Sequence, residues 1–291
     1  MTKKRKGIIL AGGFGSRLWP VSITTSKHLL PVFDKPLIYY PLTTLMLAGI
    51  TDILIISNAK DLGLFKALLK DGSNLGLNIE YKIQEYPNGI AEAFIIGENF
   101  IGNNNCALIL GDNIFYGSGL SEKLLIISNN NNKATAFAFN VKKTEEYGIC
   151  KFNEHHKVID IIEKPKKFVS NWALTGLYFY DSTVVDIAKS IKPSFRNEIE
   201  ITSINLIYLR ERSLQIEMLD RGYAWLDAGT PESLLEASHF VHLIEKRQGL
   251  KIGCPEEISW RMGFINKKEL EKLINDVKND EYRKYLIKII S

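Results

Sequence analysis

The chain has 291 residues, 45% hydrophobic and 24% charged, with 37 basic against 33 acidic side chains and a formal net charge of +4. An intrinsically disordered chain would carry fewer apolar residues, so a packed globular protein is expected throughout. The mild charge excess argues against nucleic acid as a main partner. No apolar run is long enough to span a bilayer, so no membrane partner is expected. The basic start at Lys3, Lys4, Arg5 and Lys6 mimics a signal peptide, but the apolar stretch that follows is short and glycine-rich. Arg17 then interrupts, and no small-residue cleavage site appears, so a basic tail before a buried strand is the expectation. Cys106, Cys150 and Cys254 lie far apart with no C-x-x-C pair, which implies reduced thiols and a cytoplasmic location.

Residues 7–11 form a short apolar run, which reads as a strand buried on both faces. Similar runs recur at 53–57, 79–83, 107–110 and 134–139, with amphipathic helical stretches between them at 40–48, 62–69, 91–100 and 120–128. Strand alternating with helix predicts a Rossmann-like, doubly wound α/β sheet with helices on both faces. The polar run 129–132 reads as a loop, not a domain boundary. Next come strand-like segments at 148–152, 158–163 and 173–180 with few helices between them, which suggests antiparallel or mixed strands added to the same sheet. Helical patterns return at 184–191, 198–210 and 231–247, and a charged helical extension follows at 267–275 and 281–290. The expectation is one α/β domain, with residues 1–140 as a first half, 141–250 as a second and 251–291 as a helical C-terminal extension.

The first strand-to-helix turn carries Gly12, Gly13 and Gly15 followed by Ser16 and Arg17. Such a turn lets backbone N–H groups approach a phosphate closely, though a purely structural tight turn also explains glycines. It is not a P-loop, since no G-x-x-x-x-G-K-[ST] run exists, and Leu18 stands where a dinucleotide fingerprint needs its third glycine. Arg17 and Lys27 supply two cations near a phosphate-sized nest, which suits a triphosphate. Asp112 follows a buried run and Asp227 follows another. Each could be a helix N-cap, or together they could hold Mg²⁺, a hard cation bound by few carboxylates plus substrate phosphates. Glu163 and Lys164 precede Pro165, either as a surface charge pair before a turn or as contacts to a sugar and its phosphate. The five histidines sit in no catalytic or metal motif; His239 and His242 read as helix-face residues.

Taken in order, Gly13, Gly15, Arg17, Leu18 and Pro20, then Lys27, then Gly111-Asp112-Asn113, then Glu163-Lys164-Pro165, then Trp225-Leu226-Asp227 with Gly229-Thr230, resemble the sugar nucleotidyltransferases. The closer match is to the glucose-1-phosphate thymidylyltransferases, through Asp34-Lys35-Pro36, Tyr39-Tyr40-Pro41, the run from Thr175 to Asp181, Arg221-Gly222-Tyr223, and Cys254 to Ile258. The resemblance spans essentially the whole chain. It departs at Phe14, where a small residue is usual, at Ser16 for Thr, at His28 and Glu92 for Gln, and at Ser118 and Gly253 for His and Ser.

The resemblance implies Mg²⁺-dependent attack by glucose 1-phosphate on the α-phosphorus of dTTP, giving dTDP-glucose and pyrophosphate for deoxysugar synthesis. It assigns catalysis to Arg17, Lys27, Asp112, Lys164 and Asp227, with Asp112 and Asp227 on the metal. Leu10, Gly12, Gly13, Gly15, Ser16, Arg17, Gln84, Pro87 and Gly89 would bind the nucleotide. Asn113, Tyr147, Gly148, Glu163, Lys164, Leu174, Gly176 and Trp225 would line the sugar pocket. A homotetramer is implied, as is feedback inhibition by a dTDP-sugar at Leu47, Tyr116, Gly117, Arg221, Lys251, Glu257, Ile258 and Arg261. Three rivals stand beside this reading. The same chemistry could use UTP or another sugar phosphate. A glycosyltransferase would need a D-x-D motif, which Asp112-Asn113-Ile114 does not supply. A non-catalytic regulatory nucleotide-sugar-binding module would be expected to lose the charged residues that are all present here.

Overall fold

The computed structural model describes residues 5–130 and 133–291. Lys3 and Lys4 of the basic start, and Asn131 and Asn132 of the expected loop, lie outside the described residues. In chain order the first half runs β1 (Arg5–Ala11), a small hairpin β2 (Pro31–Val32) and β3 (Lys35–Pro36), α1 (Tyr39–Leu47), β4 (Asp52–Ser57), α2 (Leu62–Leu69) and β5 (Asn78–Ile83). Then come α3 (Glu92–Ile96), α4 (Glu98–Ile101), β6 (Asn105–Leu110), β7 (Asn113–Gly117), α5 (Leu120–Asn129) and β8 (Ala134–Asn140). The second half runs β9 (Gly148–Phe152), β10 (Val158–Glu163), β11 (Trp172–Tyr180), α6 (Val184–Ser190), α7 (Ile201–Arg210), β12 (Leu214–Leu219) and β13 (Tyr223–Asp227). It closes with α8 (Pro231–Gln248), α9 (Pro255–Arg261), α10 (Lys267–Asp276) and α11 (Asp280–Ile290).

A nine-stranded mixed sheet runs β10-β9-β11-β6-β1-β4-β5, with β8 on β11 and β12 on β8. Its centre is parallel, β1 lying between β4 and β6. That position explains the unbroken apolar run of the first strand. Ile9 and Ala11 enter one core layer with Leu42, Leu45 and Phe65 of α1 and α2. Ile8 enters the opposite layer with Phe94, Val184 and Ile204 of α3, α6 and α7. A large apolar side chain buried fully in this way contributes about 1.5–3 kcal/mol, and a strand covered on both faces can collect it from adjacent residues, as at Ile8 and Ile9. β8, β9, β10 and β11 extend the sheet through antiparallel pairs, and β12 joins β8 in parallel, so the added strands are mixed, as the strand-rich second half predicts.

Two expected helices change shape for local reasons. The stretch 91–100 breaks into α3 and α4 at Gly97, where a Cβ would sit 2.9 Å from the Ala93 carbonyl and 3.2 Å from Ile8. The stretch 198–210 becomes helical only from Ile201, because Ile199 is drawn into extended pairing: its N–H donates to the Asn88 carbonyl at 2.6 Å and its carbonyl accepts from Ala91. Neither Asp112 nor Asp227 caps a helix. A strand, β7, follows Asp112, and α8 is capped by Thr230, whose hydroxyl accepts from the Ser233 N–H at 3.2 Å. β7 and β13 themselves form an unforeseen two-stranded ribbon that sets Asn113 opposite Asp227.

The helical extension is tied on by buried charges. Lys35 donates to Glu245 at 2.9 Å and to Asp34, and Lys251 pairs with the same two carboxylates. The Ile252 N–H donates to Glu245 at 2.8 Å. Removing one partner of a buried pair strands the other, which typically costs about 3–5 kcal/mol. Glu245→Ala should therefore lower unfolding free energy by about that amount, and a urea titration that moves by less than about 1 kcal/mol would contradict it.

Candidate active site

β1 and β6 are parallel neighbours, so their C-terminal ends open on one edge of the sheet. There β1 passes into the glycine-rich turn and β6 into Gly111 and Asp112. A cavity of about 570 Å³ opens at that edge. Arg17, Lys27, Asp112, Lys164 and Asp227 all line it, although they come from five separate parts of the chain.

The two carboxylates meet through the β7–β13 ribbon, and the Ala228 N–H donates to the Asp112 carbonyl at 3.0 Å. Lys27 donates to Asp112 Oδ2, and Asn113 Nδ2 donates to Oδ1 at 3.0 Å. Burial alone would raise the Asp112 carboxyl, but the Lys27 ammonium outweighs it and holds the group well below the usual carboxylate range. Burial and the nearby Asp112 charge push the Asp227 carboxyl up. Arg17 lies over Gly229, where a Cβ would come within 2.7 Å of its Nη2 and 3.1 Å of Asp227 Oδ1. The site thus holds two converging hard-oxygen donors with free capacity and adjacent cations, a donor set that fits Mg²⁺. Among the described residues no group of three or more His, Cys, Asp or Glu side chains forms a complete metal cage, so substrate oxygens would have to complete the coordination.

Lys164 follows β10 with φ 43°, and its N–H donates to the Tyr147 carbonyl at 2.9 Å. A non-glycine residue in that region carries roughly 1–3 kcal/mol of strain, which the surrounding structure must hold. Beside it, Glu163 accepts from Thr202 Oγ1 and from Arg196 Nη2 at 3.1 Å. Arg196 also donates to Glu200 at 2.7 Å and approaches Glu198 at 3.3 Å. Asn113 is a junction: its Oδ1 accepts from the Gly176 N–H at 3.0 Å and from Trp225 Nε1 at 2.6 Å. Tyr147 packs edge-on to Trp225, with ring centroids 5.1 Å apart.

Of the other expected contacts, Leu10, Gly13, Gly15, Ser16, Gln84, Pro87 and Gly89 line the cavity, as do Gly148, Leu174 and Gly176. Gly12 does not line it. It lies beneath Gln84, close enough that a Cβ would collide with Oε1, so its role is to admit that side chain. The sequence pattern does not mark Arg196 or Thr202, and it marks His28 only as a departure from the family's usual Gln. The charge-rich run from Arg196 to Glu200 was the available signal, but its neighbours become apparent only when α7 packs on β10.

The eight residues expected to form a regulatory site lie apart from the cavity. Leu47 and Ile258 pack against one core layer, and Tyr116 OH donates to Gln248 at 2.7 Å. Gly117 pairs with Tyr223 on the ribbon. Lys251 is held by Asp34 and Glu245, and Arg261 donates to Glu257 at 2.7 Å, so both are paired with carboxylates. Arg221, in the turn between β12 and β13, makes no ion pair among the described residues.

Comparison with known proteins shows the family of the chain. A family model described as nucleotidyl transferase matches residues 6–243. A glucose-1-phosphate thymidylyltransferase of Neisseria meningitidis is 50% identical over 285 residues, 98% of this chain and 99% of that one. One from Xanthomonas campestris is 51% identical over 283 residues, 97% and 96% of the two chains. Among solved structures, a Bacillus anthracis chain described as the same enzyme, in complex with sucrose, is 40% identical with a TM-score of 0.75, covering 81% of this chain and 94% of that one. A UDP-glucose pyrophosphorylase complexed with UDP-glucose is 25% identical with a TM-score of 0.72, covering 83% and 99%.

His28 lines the cavity but is itself buried, with Nδ1 2.9 Å from Ser26 Oγ and its ring on Gly111. Burial, and then the Lys27 charge, lowers its pKa from 6.5 to about 3. The unfolded chain therefore binds this proton more readily than the folded one. Its stabilising contribution is present above pH 6.5 and is lost as pH falls towards about 3. The slope is about 1.4 kcal/mol per pH unit. His28→Gln should flatten that acid limb when unfolding is followed by urea titration at successive pH values; parallel profiles for the two proteins would show that another group sets it.

Proposed function

The chain belongs to the nucleotidyl transferase family, and from that premise we propose that it transfers dTMP from dTTP to α-D-glucose 1-phosphate, yielding dTDP-glucose and pyrophosphate. The observation that carries this reading is the convergence of Arg17, Lys27, Lys164, Asp112 and Asp227 on one cavity. The relatives named for that activity align over nearly the whole chain. Residues 1–140 supply the nucleotide half, 141–250 the sugar half, and 251–291 a helical extension that braces both.

A sugar-phosphate oxygen attacks the α-phosphorus, the new P–O bond forms, and the bond to the β-phosphate oxygen breaks in line. Both reactants are polyanions, and two unit charges about 4 Å apart repel by roughly 4 kcal/mol at an effective dielectric of 20. Positioning and charge neutralisation therefore dominate the chemistry. Arg17, above Gly229, binds the triphosphate from the glycine-turn side. Lys27 leaves its ion pair with Asp112 to accompany the departing pyrophosphate. Lys164 orients the sugar phosphate, and its strained backbone fixes the direction from which it does so. Glu163, clamped by Arg196 and Thr202, receives sugar hydroxyls together with Asn113, Tyr147, Gly148, Leu174, Gly176 and Trp225. Gln84 reads the pyrimidine, with Pro87 and Gly89 beside it. Mg²⁺ held by Asp112 and Asp227 would neutralise phosphate charge as it develops. Tyr116 and Arg221, with Leu47, Gly117, Lys251, Glu257, Ile258 and Arg261, form a separate face for a feedback dTDP-sugar, and the working assembly is a homotetramer in the cytoplasm.

Asp112→Asn and Asp227→Asn should each lower kcat by on the order of 10²–10³ in protein whose far-UV circular dichroism matches the parent's. Near-normal turnover in both at ordinary Mg²⁺ would refute the metal assignment. Lys164→Ala should raise the KM for glucose 1-phosphate far more than that for dTTP; the reverse pattern in steady-state kinetics would overturn the division of roles. Arg221→Ala should relieve inhibition by dTDP-rhamnose without lowering uninhibited turnover, and unchanged inhibition that competes strictly with dTTP would remove the separate regulatory site.

A further inference from the structure

Gln84 is nearly fully buried, yet it lines the cavity. It extends β5 by one residue, its N–H donating to the Ser57 carbonyl at 2.8 Å, so its backbone is fixed by the sheet. Its side chain lies against Gly12, whose missing Cβ leaves room for the carboxamide. Nε2 donates to Glu92 Oε2 at 2.7 Å. The other oxygen of Glu92 accepts from Asn88 Nδ2 at 2.8 Å. No protein donor among the described residues reaches Gln84 Oε1.

A carboxamide can turn over and exchange its donor and acceptor ends, and neighbouring groups decide which way it sits. An ionised carboxylate accepts only, so it holds the NH₂ end of Gln84 towards itself. One of the two N–H groups is thereby taken up. The second remains, with Oε1, as the donor and acceptor that the amide can still offer. Thymine and uracil present an N3–H donor beside a carbonyl acceptor, which matches an acceptor–donor pair in one order. Cytosine presents an N3 acceptor beside an amino donor, which matches only the reversed order.

We infer that Glu92 is a specificity-determining positioning residue: it locks the Gln84 carboxamide in the orientation that reads an imide pyrimidine and rejects cytosine. Turning the amide over would aim Oε1 at the Glu92 carboxylate, lone pair against lone pair, and would forfeit the bond from Nε2. The specificity thus comes from a residue that does not itself line the cavity. Asn88 holds the far side of Glu92, and its carbonyl accepts from the Ile199 N–H at 2.6 Å, so the lock is built into the pairing of the 88–92 segment with the extended stretch before α7. Glu92 stands at one of the positions where the chain departs from the family's usual Gln, whose amide oxygen could still accept from Gln84.

The inference rests on the proposed placement of the pyrimidine at Gln84, and the test separates the two. kcat/KM is measured for dTTP and for dCTP, at saturating glucose 1-phosphate and Mg²⁺, in the parent protein, Glu92→Met, Glu92→Gln and Gln84→Ala. The two nucleotides share one triphosphate, and their ratio is taken on a single preparation, so any misfolded fraction cancels. Glu92→Met, which offers no carboxylate, should lower the dTTP-to-dCTP ratio by about tenfold or more, the scale of a reversed bidentate base contact. Glu92→Gln should restore the ratio to within about threefold, because an acceptor oxygen is returned. A Glu92→Met protein that loses both activities in proportion, or keeps the parent ratio, overturns the locking role. If Gln84→Ala collapses the ratio while Glu92→Met does not, the pyrimidine placement stands and the lock alone is wrong. If Gln84→Ala leaves the ratio unchanged, the placement itself fails, and the lock with it.

Discussion

The antiparallel pairing of β7 with β13 is the constraint on which the cavity depends. It sets Asn113 opposite Asp227 and so brings together two carboxylates that the chain keeps far apart. Left alone, two buried like charges at that distance would force one to protonate. The structure meets the problem with cations: Lys27 pairs with Asp112, and Arg17 lies beside Asp227. Desolvating such charges is costly even when they are paired, so the cluster adds little to stability for what it costs to bury. The same ribbon delivers Trp225 to Asn113, and Asn113 in turn holds Asp112 and the Gly176 N–H. One amide side chain therefore joins the carboxylate pair to the wall where a sugar would lie.

The parallel centre of the sheet does the remaining positioning. Parallel strands end on a common edge, so the turn after β1 and the aspartate after β6 are neighbours by topology. Those strands are buried on both faces, and the groups at their ends are placed by the packed centre of the sheet. The opposite wall is held differently. Glu163 and Lys164 end β10 at the sheet's edge, and what fixes them is a polar clamp from Arg196 and Thr202 together with a left-handed backbone at Lys164. The cavity is thus bounded by strand ends on the sheet and by a wall held through side-chain bonds.

Much of this is legible along the chain. The apolar runs at 7–11, 53–57 and 107–110 read as buried parallel strands because their burial is complete on both faces, and Glu163, Lys164, Asp112 and Asp227 are visible as charges at strand ends. Less legible is what such charges do. Asp112 and Asp227 are equally good helix caps on paper, and only the pairing of β7 with β13 and the Thr230 cap exclude that. Arg196 and Thr202 carry no motif, since their meaning lies in Glu163, on a strand remote from both. Gly12 belongs to a phosphate-binding turn by pattern, yet in the fold it makes space for Gln84.

The sequence by itself determined the fold class, the order of most elements, though not β2, β3, β7, β12 or β13, and the inventory of charges, because hydrophobic period and turn chemistry are local and are written residue by residue. The tertiary structure alone decided which charges share a cavity, which way the Gln84 amide faces, and which cations are already paired, as Lys251 is with Asp34 and Glu245. Those outcomes depend on distances of a few ångströms between segments remote along the chain. Such distances are set by strand register and close packing, which no local pattern encodes.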